Sequence, residues 1–238
     1  MNRAQSETVG FVLVFALIAV STGVVYVAGT SSLDDARTAE ELNNMERAFD
    51  VLAENIGEVS RDRAPSRTTE LRLGNGDIEL GAPVNITVTT NVSAIPVTIH
   101  TRPIVYRLDD TEIVYTSGAV LRSDRGATAI RSEPDWVVSE RQTILPLTDV
   151  DATGRAAMGG DTTVLVRARQ KNPPNSRSFA TNESAVNVTV TIDSPRSGAW
   201  RRLLESRGFS CDPPGVNCTF TTDELHVVWS TTSVEFSP

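Results

Sequence analysis

Between Thr8 and Leu33 the chain carries no charged residue, and its first half reads VGFVLVFALIAV. Nothing else in the sequence limits the fold so tightly. A run of this length, at 1.5 Å per helical residue, covers a bilayer core of about 30 Å. Arg3 precedes it and Asp34 and Asp35 follow it. The cation on the near side places the N-terminus in the cytoplasm and the remainder outside.

Three readings compete for the segment. An export signal would be cut near Val27, Ala28 and Gly29 and would release a soluble domain. An uncleaved helix would tether that domain. A short leader would be clipped in front of the apolar run, at Ala4–Gln5, and the helix would be retained. The polar cassette NRAQSET favours the third, because the small residue after a cation lies before the apolar run. Glu7 then sits at the lip of the helix, where an unpaired charge in lipid calls for a partner. The competing role for Glu7 is a solvated carboxylate at the interface.

RAQSETVGFVLVF resembles the N-terminus of archaeal type IV pilins and archaellins, above all the haloarchaeal pilin-like group. YRLDDTEIVYTSGAVLR and SP…AWRRLLES also look like that group. The resemblance implies residues 1–4 as leader, 5–64 as a transmembrane and extended helix, and 65–238 as an extracellular β-rich head. It implies a prepilin-type peptidase and other pilin-like subunits as partners, with the membrane, and assembly rather than catalysis. The expected role is a minor subunit of a surface filament. The alternative is an anchored surface protein that does not polymerise.

Composition agrees with a solvated exterior. Net charge is −8, and Lys171 is the only lysine among 22 basic residues. That balance lacks the basic face a nucleic-acid binder needs. Acidic excess with so little lysine suits strong brine; a GC-rich genome writing arginine for lysine gives the same count.

Beyond the membrane run, Leu42, Met45, Phe49, Leu52, Ile56 and Val59 recur at alternating spacings of three and four, a helical stripe that Pro65 must end. The stripe can pack on a neighbouring helix or on the attached domain. After Pro65 the period changes to two. VNITVTTNVS, TTVLVRARQ and SAVNVTVTIDS alternate apolar with polar or β-branched residues, as half-buried antiparallel strands do. The expected fold is α+β: the long helix, then seven to ten strands as a sandwich or open sheet, broken by one short helix. TELRLGNGDIELG reads as a hairpin turning at Gly74–Asp77. In SPRSGAWRRLLESRG, Ser194 is the expected N-cap, Gly208 the C-cap glycine, and Trp200, Leu203 and Leu204 the buried face.

Cys211 and Cys218 flank DPPGVN, a turn that brings the thiols together as a short-loop disulfide outside the cytoplasm. Five Asn-x-Ser/Thr sequons, at Asn85, Asn91, Asn182, Asn187 and Asn217, fit an exposed domain carrying glycans. A strand composition rich in Asn and Thr produces the same triplets.

No motif specifies chemistry. His100 and His226 are the only histidines, and no Gly-x-Ser-x-Gly elbow is present. DVDATGRAAMGGD begins like a calcium loop with Asp149, Asp151 and Gly154, but Gly160 stands where the closing glutamate belongs, so an acidic loop is expected. No catalytic, cofactor or metal residue is assigned.

Overall fold

The computed structural model describes residues 3–61, 64–181 and 185–238, with side chains from Val9 onward apart from Ser31. Its contacts divide the chain into residues 1–44 and 45–238. Helix α1 runs Arg3–Ser60. The assignment is unbroken through Ser21–Ser32, where the sequence softens. There the hydroxyls of Ser21, Thr30 and Ser32 donate to carbonyls three or four residues back, which satisfies them without leaving the helix.

Fifteen strands follow among the described residues: β1 (Ser66–Arg72), β2 (Asp77–Leu80), β3 (Val84–Thr90), β4 (Ser93–Thr101), β5 (Ile104–Leu108), β6 (Thr111–Thr116), β7 (Ala119–Asp124) and β8 (Ala127–Ser132) precede β9 (Gln142–Ala152), β10 (Ala157–Gly159), β11 (Thr163–Ala180) and β12 (Val186–Asp193). Helix α2 (Ser197–Ser206) then leads to β13 (Ser210–Cys211), β14 (Val216–Thr222) and β15 (Glu224–Ser237). They form three sheets, ordered β1-β11-β15-β9, β10-β2-β5-β6-β7-β8 and β13-β14-β12-β3-β4. All named pairings are antiparallel except β9 with β15, which is parallel. The α+β class holds. The strand count exceeds the expected seven to ten because several period-two runs fold back on themselves at tight turns.

Two of those turns show how. Ser117 and Gly118 have φ of 44° and 87°, and Arg125 and Gly126 have 49° and 85°. Positive φ at both central residues matches the twist of adjacent antiparallel strands, so β6–β7 and β7–β8 close as two-residue hairpins.

The central strands of the six-stranded sheet, β5, β6 and β7, are buried on both faces. Val105, Val114 and Leu121 enter the main core with Ile86, Val190, Trp200 and Leu204. Alternate residues Tyr106, Ile113, Tyr115 and Val120 point the other way and are also inaccessible. Arg122 shares the Val120 face, and its guanidinium reaches Glu46 on α1. Ser132, paired with Val120, bonds Asp50. The turns of α1 from Met45 onward therefore cover that second face.

Three local readings are corrected. The turn at Gly74–Asp77 is real, but it joins strands of different sheets: β1 pairs with β11, and β2 with β5 and β10. Helix α2 begins at Ser197, later than Ser194; Ser194 Oγ instead accepts from the Arg196 N–H in the preceding turn. Asp149 and Asp151 lie within β9, paired with Thr231 and Ser233, and not in an acidic loop. The C-cap reading holds. Gly208 has φ of 90°, its N–H donates to the Glu205 carbonyl and the Phe209 N–H to that of Leu204, the paired bonds of a Schellman motif.

Candidate functional site

From Val9 to Leu33 every large apolar side chain on α1 is between 55 % and 72 % exposed. Soluble proteins rarely leave so large a contiguous apolar surface in water. It is the kind of surface that lipid or other apolar chains cover. The segment has the length and composition to cross a membrane once, with a peak mean hydropathy of 2.5.

The stripe that follows behaves differently. Met45 is 3 % exposed, and Phe49, Leu52, Ile56 and Val59 are fully inaccessible. Each such burial is worth about 1.5–3 kcal/mol relative to leaving the side chain in water. From Met45 onward the seam is thus occupied within its own domain, in contrast to the exposed apolar run from Val9 to Leu33. Polar bonds fix the register of these turns: Asn55 Nδ2 donates to Thr69 Oγ1 at 2.9 Å, Arg67 pairs with Glu58 at 2.6 Å, and Arg61 with Asp135 at 2.6 Å.

Ala4, Gln5 and Glu7 lie in the first turns of α1, and their side chains lie outside the described residues. Cys211 and Cys218 are joined as a disulfide and face each other as register partners of β13 and β14. Cys218 is fully buried, so the bridge ties the end of α2 to the main core. Trp200 is a core residue, stacked on Trp136 with ring centres 5.8 Å apart.

Among the described residues, the sequon asparagines fall on one sheet or its turn. Asn85, Asn187 and Asn217 lie on β3, β12 and β14, with Asn91 in the β3–β4 turn. Asn91 Oδ1 accepts from the Asn187 N–H at 2.9 Å, closing that turn on β12. Asn182 lies outside the described residues.

One constellation with the order of a nucleophile, base and carboxylate escaped the sequence reading. Ser178 Oγ is 2.7 Å from His226 Nδ1, and His226 Nε2 is 3.0 Å from Glu224 Oε1. Ser178 and His226 are direct partners across β11 and β15. Cross-strand pairing alone accounts for the contact. The serine lies within a strand, not at the strand-to-helix elbow that aims a nucleophile at a substrate. Only the pairing of two strands 48 residues apart brings these groups together, so no local spacing announces them.

Several carboxylates are engaged by arginine. Glu112 accepts from Arg107 at 2.9 Å and from Arg196, while Arg107 also reaches Glu79 at 2.5 Å. Burial pushes the Glu112 carboxyl up, but the two guanidinium bonds outweigh it and hold the group below its ordinary range. Asp151 is likewise held low by Lys171. Asp149 beside it is pushed up, first by burial and then by the charge of Asp151. Among the described residues no group of three or more His, Cys, Asp or Glu is placed to hold a metal ion.

Among the described residues, fold and surface together define an α+β protein with one helix long and apolar enough to span a bilayer and a three-sheet domain after it. The chain belongs to the Family of unknown function (DUF7289), which it matches over residues 3–235, helix and sheets alike. No curated protein and no solved structure matches it.

Proposed function

We propose that the chain is a type IV pilin-like subunit, of the minor kind, in a haloarchaeal surface filament. A prepilin-type peptidase cuts between Ala4 and Gln5 on the cytoplasmic side. The apolar helix waits in the bilayer with the disulfide-bearing domain outside, and then exchanges lipid for the helices of neighbouring subunits. Its role is assembly and display, not catalysis.

One observation carries this reading: an apolar helical surface from Val9 to Leu33 lies exposed on the same helix that enters the sheet domain. At about 0.8 kcal/mol per methylene kept from water, such a surface stays covered throughout, first by lipid and then by sibling helices. The Cys211–Cys218 disulfide supports an oxidising compartment for the domain. Acidic excess paired with arginine supports brine.

A simple membrane tether is the second reading. It is favoured by burial of the stripe from Met45 to Val59 within its own domain, which withdraws those turns from any bundle.

Mass spectrometry of the mature protein separates the two. A chain beginning at Gln5 is the expected result. A start near Thr30 ends the filament reading, because the helix is then lost, and an intact Met1 assigns the tether. In sheared filament fractions, Glu7→Ala should be depleted while remaining in membranes; equal recovery of both forms removes Glu7 from assembly.

A further inference from the structure

We infer that the outer face of the five-stranded sheet is an N-glycosylated face, with Asn85, Asn187 and Asn217 as acceptors, and that sugar covers it rather than a protein partner. The inference rests on the proposed location of this domain outside the cell.

Register places the three asparagines on one side of the sheet. Asn85 pairs with Asp193, Asn217 with Thr191 and Asn187 with Thr221, and each pair shares the face opposite the buried Val188, Val190 and Ile192. Because side chains alternate along a strand, the hydroxyl residue of each triplet lies on the same face as its asparagine. Asn187 and Asn217 are exposed, and Asn85 is half-buried.

This face differs in kind from the rest of the molecule. Thr87, Thr89, Thr189, Thr191, Thr219 and Thr221 fill it between the asparagines, and Asp193 is the only Asp, Glu, Lys or Arg among the outward positions of β3, β12 and β14. In a chain with 22 % charged residues, the other surfaces carry arginine–carboxylate pairs. With almost no charge on it, this face lacks the repulsion that keeps other surfaces apart. Polar glycans anchored on the face itself would supply that separation.

The hydrogen bonds suit the chemistry. Asn85 Oδ1 is 2.7 Å from His100 Nδ1, Thr221 Oγ1 donates to Asn187 Oδ1 at 3.0 Å, and Thr191 Oγ1 to Asn217 Oδ1 at 3.4 Å. In each case the neighbour engages the amide oxygen and not Nδ2, the atom that takes the sugar. Transfer from a polyprenyl-phosphate-linked saccharide forms the Nδ2–C1 bond and breaks the C1–O bond to phosphate. The lipid phosphate leaves, and one Nδ2 proton is lost. At about 4.8 Å between strands and 3.4 Å per residue, the asparagines stand roughly 12–14 Å apart along neighbouring acceptor pairs, enough for separate glycans.

The test uses the native protein from its own membranes. Intact-mass and glycopeptide spectra are recorded for wild type, N85Q, N187Q, N217Q and T189A. Two or more of the three asparagines should be modified, each Asn→Gln change at a modified site should remove one sugar increment, and T189A should remove the same increment as N187Q. One modified site, or none, overturns the inference. Protease added outside intact cells tests the reading beneath it. A head cleaved from outside but unglycosylated defeats only the inference, whereas a protected head defeats the location as well. A disulfide-linked dimer of T89C with unmodified asparagines assigns the face to a second copy and overturns the inference.

Discussion

Arg122 Nη1 lies 3.3 Å from Glu46 Oε2, and this pair joins β7 of the six-stranded sheet to the helix that covers it. Glu46 also accepts from Arg131 on β8, so one carboxylate engages two strands. With its side chain only 14 % exposed, it is shielded far more than a surface ion pair.

Glu46→Ala should therefore destabilise the protein by about 1–2 kcal/mol, since Arg122 loses one of its two carboxylate partners and keeps Asp124, while the half-exposed Arg131 turns to water. Denaturant unfolding of the detergent-solubilised chain measures it. A loss under about 0.5 kcal/mol would reduce the pair to a solvated contact.

Gly76 is required by contact and not by a hairpin. A Cβ there would stand 2.5 Å from the ring of Tyr106, whose hydroxyl donates to the Leu73 carbonyl at 2.9 Å. Gly76→Ala should cost about 1–3 kcal/mol through overpacking, and Tyr106→Phe about 1 kcal/mol through the lost bond. Thermal unfolding of both variants tests this; a neutral Gly76→Ala would show that the turn shifts freely.

Removing the disulfide should destabilise modestly. The bridge spans seven residues, for which loop-closure entropy gives about 2.5 kcal/mol. Cys211→Ser with Cys218→Ser should lower the unfolding midpoint and leave secondary structure by circular dichroism unchanged. A midpoint that does not move would mean that β14 holds its place without the bridge.

Stability should fall in acid, and Glu112 should contribute to the slope. Its folded pKa is depressed below the ordinary carboxylate value, so the unfolded chain binds the proton first. The stabilisation is present above the unfolded value of about 4.5 and disappears as pH drops through the lower folded value. Glu112→Gln should flatten the acid limb of a stability–pH curve and lower the plateau at neutral pH. An unchanged limb would remove Glu112 as a contributor.

Much of this architecture is legible from spacing. The charge-free run, the three-and-four stripe and the period-two segments each encode their element locally, and Gly208 declares the end of α2. Turn chemistry at Gly74–Asp77 was also legible, yet the partners of the flanking strands were not. A turn signal says that the chain bends, while pairing is chosen by which strands a distant segment can bury. The same holds for Asp149 and Asp151, whose loop-like composition yields once β15 offers a parallel partner.

The candidate site divides the same way. The apolar surface from Val9 to Leu33 could be read from composition, because an unbroken run of apolar residues specifies it locally. That Met45–Val59 is consumed by its own sheets, and that Asn85, Asn187 and Asn217 share one face, depends on register.

Taken alone, the sequence determined the kinds of element and their order: one long helix, a β-rich remainder and a short capped helix. Periodicity and capping act within a few residues, so one strand of text suffices to specify them. Only the tertiary structure decided which strands neighbour one another, which half of the helix is satisfied and which asparagines meet. Those outcomes arise from contacts between distant segments, whose energy is absent until the chain has closed on itself.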